Sequence, residues 1–210
     1  MTINISDRHA PSSYEPPRVS WDAFHDWALK NEFRVEWVDG EIIELMPDNI
    51  RHFLVARFLS DLLRHFGENR GLGLVLMTTI LMRLQLRPSG RVPDVMFIAT
   101  ERLDRLTDTY LDGPADLAVE IVSPDSEVRD RREKLAEYET AGVREYWIID
   151  DARHEARFYM LDADGRYQPA LVSADGIYTS TVLPDLRLRV GWLWQTPLPT
   201  LSAALADLPA

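Results

Sequence analysis

No cysteine occurs in the 210 residues, so neither disulfides nor a thiolate metal site is available to this chain. Long apolar runs are missing too. The longest, Leu72 to Met82, is short and interrupted by Thr78 and Thr79, which excludes a bilayer span. The first twenty residues lack the apolar centre of a secretory signal, because Ile3, Ile5 and Val19 are scattered among prolines, serines and charges. These absences point to a soluble, cytoplasmic protein with no membrane partner. Positive charge is also in deficit. Lys and Arg number 23 against 34 Asp and Glu, a net charge of −11. Nucleic-acid affinity is built largely from Lys and Arg, so this balance counts against tight non-specific binding. It leaves room for a local basic strip, and Arg129, Arg131 and Arg132 lie close enough in sequence to supply one. Neither an internal repeat nor a low-complexity tract is found.

What is present belongs to a folded globule. The apolar fraction is 46% and there are six tryptophans, enough for one domain with a sizeable core. Residues 1–19, with Pro11, Pro16 and Pro17, read as a flexible arm, 20–195 as a single domain and 196–210 as a tail. Ser20 is placed to cap a short helix with Trp21, Phe24 and Ala28 on one face. FRVEWV, Asp39-Gly40 and EIIELM read as a hairpin with a type I′ turn, which sets Val38 against Glu41 and Glu36 against Ile43. The longest helical pattern runs from Asn49 to Asn69, with Val55, Leu59, Leu62 and Phe66 as its stripe. Strands are expected at Leu74–Thr78, Ile80–Leu86, after Asp94, and at Asp116–Val122, with a turn at Pro88-Ser89-Gly90. A helix over Glu127–Ala141 ends at Gly142, and a strand over Arg144–Ile149 and a hairpin at Asp164-Gly165 come after it. The fold class is α/β: a mixed sheet flanked by helices, with an N-terminal helix-hairpin and a C-terminal β extension.

Two apolar strands each carry a carboxylate. In RVPDVMFIAT it is Asp94, and in DLAVEIVSP it is Glu120. Glu120 shares its strand face with Ala118 and Val122, while Leu117, Val119 and Ile121 point the other way. A carboxylate there has to be paired, hydrogen-bonded or metal-bound, because an unpaired buried charge is strongly unfavourable. Either acid alone is well explained by a loop cap or by an arginine such as Arg91. The two together, with Lys134 on the next helix, form a set able to hold a divalent metal and position a water. Lys134 also has a plain explanation. Asp130 lies four residues before it, the favoured spacing for a helix-surface ion pair worth ~0.3–0.5 kcal/mol. Val128, Leu135 and Tyr138 read as the buried stripe of that helix, which leaves Lys134 at its border, able to reach over the sheet. His52 continues the core stripe of the earlier helix and reads as a satisfied structural histidine.

RVPDV, DLAVEIVSP, the spaced Asp130 and Lys134, and GVREYWIID together resemble the Uma2 family, formerly a domain of unknown function. That family is placed in the PD-(D/E)XK nuclease superfamily, with a restriction-endonuclease-like fold. The similarity runs in order from Trp21 to Trp194 and takes in VEWVDGEI, His52 and VLPDLRL. It implies that Asp94 is the PD aspartate and Glu120 the (D/E) acid, together holding Mg2+ or Mn2+. The superfamily lysine would fall at Val122, which cannot serve; the family pattern displaces it onto the next helix, where Lys134 matches. Glu36 matches an early family glutamate and is a further catalytic candidate, acting on the metal or its water. Tyr138, Tyr146 and Trp147 match as well and read as core. The implied activity is Mg-dependent endonuclease cleavage of DNA phosphodiester bonds. DNA would be held weakly and salt-sensitively, by a homodimer or larger assembly, since no reading domain is recognisable. Two rivals stand beside it: a catalytically silent binding or assembly protein that keeps the fold, and a metal-dependent hydrolase of a small phosphate ester. A positive groove leading to Asp94 and Glu120 favours the nuclease, and a closed acidic pocket favours the small substrate.

Overall fold

The computed structural model describes residues 18–31, 34–124 and 126–208, so most of the arm expected over 1–19 lies outside the described residues. The Ser20 hydroxyl accepts from the Ala23 N–H and opens α1 (Trp21–Ala28), which buries Trp21 and Phe24. β1 (Val35–Val38) and β2 (Glu41–Glu44) form the expected hairpin in the expected register, Glu36 opposite Ile43. Asp39 and Gly40 both take positive φ, as a type I′ turn demands. α2 (Ile50–Phe66) begins at Asn49, whose side chain accepts the His52 N–H. Val55, Leu59, Leu62 and Phe66 are all buried, so its stripe is the one the periodicity shows. β3 (Gly73–Met77), β4 (Leu81–Leu84), β5 (Ser89–Arg91), β6 (Val95–Ala99), β7 (Tyr110–Asp112) and β8 (Leu117–Ile121) come next. A wide π-type turn at Arg129–Glu133 then leads into α3 (Lys134–Ala141), which Gly142 terminates in the left-handed conformation. The chain closes with β9 (Glu145–Asp150), β10 (Glu155–Leu161), β11 (Tyr167–Pro169), β12 (Ile177–Thr179), β13 (Arg187–Arg189) and α4 (Leu201–Asp207).

The strands make two large sheets and a hairpin, where the sequence pattern indicates one mixed sheet. Six strands run in the order β11-β10-β9-β8-β6-β3, with β8 and β9 parallel, and five in the order β2-β1-β5-β4-β7, with β4 and β7 parallel. β12 and β13 pair only with each other. The second sheet hinges on β5, which lies between β1 and β4. It is only Ser-Gly-Arg, too short for a readable alternation, so the turn expected at Pro88-Ser89-Gly90 in fact occupies 85–88. Gly90 is required there, because a methyl group would come within 2.4 Å of the Trp21 ring.

Residues on the two faces of β8 divide as period two dictates. Leu117, Val119 and Ile121 join the core against α2 with Val55, Leu59 and Leu62, whereas Ala118 joins Tyr138 and Tyr146 in the core under α3. The third helix departs from its expected face. Val128 is 63% exposed and Lys134 only 3%, because the five residues of the π turn rotate α3 relative to the residues ahead of the turn. Within the stretch read as a tail, α4 packs on α2 and buries Ala204, a contact that the short Leu-Ser-Ala-Ala-Leu segment does not announce.

The C-terminal hairpin is fastened by one buried carboxylate. Glu145 Oε1 accepts from Trp147 Nε1 and the Tyr178 hydroxyl, each at 2.7 Å, and Oε2 from the Ser180 hydroxyl and the Thr181 and Val182 N–H groups at 2.9–3.0 Å. Each buried donor left without a partner costs ~1–3 kcal/mol. Glu145→Ala is therefore expected to lose at least about 3 kcal/mol in urea unfolding. A loss below ~1 kcal/mol would show that water replaces the carboxylate and that the clamp is dispensable.

Candidate active site

Asp94 and Glu120 meet because β6 and β8 are antiparallel neighbours. Val95 pairs with Val119, so the register carries Asp94 to the level of Glu120 at the sheet end. Asp94 Oδ2 accepts the Ile121 N–H at 2.7 Å, and Oδ1 lies 3.0 Å from His52 Nε2. Glu120 Oε1 accepts from the Tyr138 hydroxyl at 2.7 Å, and Oε2 lies 2.8 Å from Lys134 Nζ.

Lys134 is far more than a surface partner of Asp130. Its ammonium lies between Glu120 (2.8 Å), Glu36 (3.0 Å) and Asp130 (3.4 Å), all of them buried. Lysine is otherwise almost unused here, Lys30 being the only other one in the chain. The wide turn that delivers Lys134 is itself tied down. The Tyr146 hydroxyl donates to the Asp130 carbonyl at 2.9 Å, and the Ser126 hydroxyl makes a short hydrogen bond to the Asp130 carboxylate.

Glu36 stands behind Lys134, off the cleft wall. Both of its oxygens are engaged: Oε2 accepts from Arg91 at 2.8 Å, and Oε1 accepts the Val92 N–H at 3.1 Å while facing Lys134. It therefore has no oxygen free to orient a metal-bound water. Arg91, the plain partner for Asp94 in the sequence, turns away from it. Its fully buried guanidinium forks onto Glu137 at 2.6 and 2.8 Å, so that it joins β1, β5 and α3.

This crowding separates the acids electrostatically. Burial works against ionised Glu36, but Lys134, Arg91 and the Val92 N–H prevail and lower its pKa to about 2. Glu120 has one shared cation and three acidic neighbours, so burial prevails and raises its pKa well above 4.5. Burial raises that of Asp130 as well. Burial also opposes the Lys134 charge, yet Glu120, Glu36 and Asp130 hold the proton and lift its pKa above the free-amine value. Burial likewise disfavours the His52 cation, and Asp94 and Asp48 overcome it, so that pKa is raised.

A cleft of about 550 Å³ opens on these groups, lined by Asp48, His52, Asp94, Glu120, Asp130 and Lys134, with Arg34, Arg129 and the β2 edge at its mouth. His52 is thus a cleft residue, not a satisfied core histidine. It sits in the first turn of α2, next to the Asn49 cap. Asp48, His52 and Asp94 bring one donor atom each within 4.8 Å of one another. Carboxylate and imidazole donors with no thiolate suit a divalent cation. Of the three arginines read as a strip, only Arg129 lines the cleft. Arg131 is engaged by Asp150 and Glu155, and Arg132 is exposed outside the cleft lining.

The model of the Uma2 family, described as "Putative restriction endonuclease", matches residues 21–191. The chain belongs to the Uma2 family. A crystal structure from Anabaena variabilis, of "a putative nuclease belonging to DUF820", superposes with a TM-score of 0.67 at 17% identity, covering 84% of this chain and 97% of that one. At that identity the likeness concerns the fold alone. No curated protein matches the chain. Among the described residues no helix is long and apolar enough to cross a membrane.

In this Uma2 chain the structure gathers Asp94, Glu120 and Lys134 at one cleft, with Glu36 one layer behind. It adds Asp48 and Glu137, which sequence reading passes over, buries the pairing of Asp130 with Lys134, and gives Arg91 partners other than the one expected. A signal existed for Asp48, since the i, i+4 spacing to His52 across the Asn49 cap places both on one side. For Asp130 the spacing to Lys134 is visible and only its burial is not. Arg91 is visible as a partner for an acid, but its pairing with Glu36 and Glu137 is not, and Glu137 carries no sequence signal.

The opposite shifts of the two glutamates make a pH test. Glu36 stabilises the fold fully above pH 4.5, and that contribution is lost as pH falls toward about 2. Glu120 carries a penalty that is absent below pH 4.5 and grows as pH rises toward its higher folded value. In chelated, metal-free protein, the melting temperature of Glu120→Gln is expected to gain on wild type steadily above pH 4.5. Glu36→Gln should be less stable at neutral pH and should close that gap as pH falls below 4.5. Parallel curves for wild type and Glu120→Gln above pH 4.5 would refute the assignment.

Proposed function

We propose that this Uma2 protein hydrolyses phosphodiester bonds of DNA with a divalent metal, and that the six-stranded sheet with α2 and α3 on its two faces is a restriction-endonuclease-like core. The observation that carries the reading is Lys134 Nζ at 2.8 Å from Glu120 on β8, with Asp94 on the neighbouring strand opening to the same cleft. Asp94 and Glu120 would hold the metal, Mg2+ or Mn2+. When bound, that ion supplies Lewis-acid polarisation of the phosphate and a water acidified enough to attack it. Glu120 has to exchange its proton or its Lys134 contact before its oxygens are free to serve. Lys134 stays an ammonium, because its pKa is raised and no neutral amine is present near pH 7 to take a proton. Its role is electrostatic: a fixed positive charge facing the charge that grows on the phosphate oxygens. Glu36 and Arg91 hold that charge in place from behind.

A second reading, a hydrolase of a small phosphate ester, is favoured by the acidity of the cleft. Glu44, Asp48, Asp94, Glu120 and Asp130 line it against Arg34, Arg129 and Lys134, and Arg34 is already bound to Asp48. A cleavage assay on single- and double-stranded DNA and on an aryl phosphodiester, with Mg2+ or Mn2+ and an Asp94→Ala control, separates the two readings. Hydrolysis of neither substrate would indicate the catalytically silent alternative.

Two outcomes are expected. Lys134→Ala should lose about 10²-fold or more in turnover with Mn2+ affinity near wild type, and Lys134→Arg, which keeps the charge, should retain part of it. Turnover of Lys134→Ala equal to wild type at saturating metal would refute the role. DNA binding should be weak and steeply salt-dependent, and Arg129→Ala should lower the log–log salt slope by about 1. Tight binding that barely changes between low and physiological salt would contradict a phosphate-led interface.

A further inference from the structure

The metal position expected from sequence, Asp94 with Glu120, is not the one this cleft holds ready. Both Glu120 oxygens are taken, by Tyr138 and by Lys134, so a cation there has to displace a buried ammonium. On the other side of Asp94 the donors face one another. His52 is only 7% exposed, yet its Nε2 makes no aligned hydrogen bond; it stands 3.0 Å from Asp94 Oδ1 and 3.6 Å from Asp48 Oδ1.

We propose that Asp48, His52 and Asp94 form the resident cation site of the cleft, and that the imidazole makes it select a first-row transition ion, with Mn2+ as the probe, over Mg2+. Each donor is pre-oriented by a contact that leaves its inner atom facing the other two. The Ile121 N–H holds Asp94 Oδ2 and presents Oδ1 to His52. Arg34 holds Asp48 Oδ2 at 2.5 Å and presents Oδ1. Asn49 accepts the His52 N–H and sets the first turn of α2 that carries the ring. Such outer contacts are what fix ligand direction in metal sites. The donor set decides the selectivity. Mg2+ keeps oxygen ligands and several waters, whereas an imidazole nitrogen suits first-row transition ions. The inference rests on the metal-dependent reading above for its purpose, but the site itself is a binding property measurable without turnover.

Pulsed EPR of the full chain loaded with Mn2+ tests it directly. Wild type is expected to show nitrogen-14 hyperfine coupling from one imidazole, and Glu120→Gln should keep that coupling. His52→Gln should abolish it and weaken Mn2+ binding by at least about tenfold, with Mg2+ affinity little changed. Asp48→Asn, at the outer end of the site, provides a second variant should His52→Gln fail to fold, with the same loss of Mn2+ affinity expected. Bound Mn2+ with no nitrogen coupling overturns the inference. If that ion is then lost in Glu120→Gln, the Asp94 and Glu120 assignment stands and only this site falls. Folded wild-type protein that binds no Mn2+ overturns both.

Discussion

One ammonium shared among three buried carboxylates is the interaction on which this molecule turns. Taking an ion pair out of water is costly, and removing one member of a buried pair leaves the other uncompensated, a loss of ~3–5 kcal/mol. Lys134 answers Glu36 from β1, Glu120 from β8 and Asp130 from the wide turn, so three separate segments are stable together only around it. The surrounding donors, Tyr138, Tyr146, Ser126 and Arg91, satisfy what the lysine cannot. An ensemble of this kind is a poor way to gain stability. It is intelligible where a negative cleft has to be kept assembled until a cation or substrate enters.

The backbone cooperates through an irregularity. An unbroken α-helix over 127–141 would have set Val128, Leu135 and Tyr138 on the core side and left Lys134 at the margin. The π turn lies between Val128, which faces solvent, and Lys134 and Tyr138, which share one buried face with Asp130. Its preservation by the Tyr146 hydroxyl links the geometry of the site to a residue in β9, two elements away.

Much of this was legible in the sequence, for reasons that also explain what was not. The hairpin turn, the α2 stripe and the acid-bearing strands are local: positive φ at Asp39-Gly40, 3.6-residue spacing, and a carboxylate in an apolar run each leave a mark in consecutive letters. Asp94 and Glu120 stood out because a charge among aliphatic neighbours needs a reason. The burial of Lys134 did not, since it depends on a helix defect that no spacing rule foretells. β5 was missed because Ser-Gly-Arg has no alternation, and with it the second sheet and the place of Arg91. His52 was misread because the core stripe continues through it, while its ring lines the cleft beside Asp94.

The Arg91 fork has a mechanical consequence. It spans from β1 in the five-stranded sheet to Glu137 on the helix that covers the six-stranded one, and all three side chains are buried. β2 and the segment after it line one side of the cleft, and the wide turn before α3 lines another. Prising these walls apart would tear a buried bidentate guanidinium contact from its carboxylate. The cleft therefore behaves as a rigid notch, not a jaw.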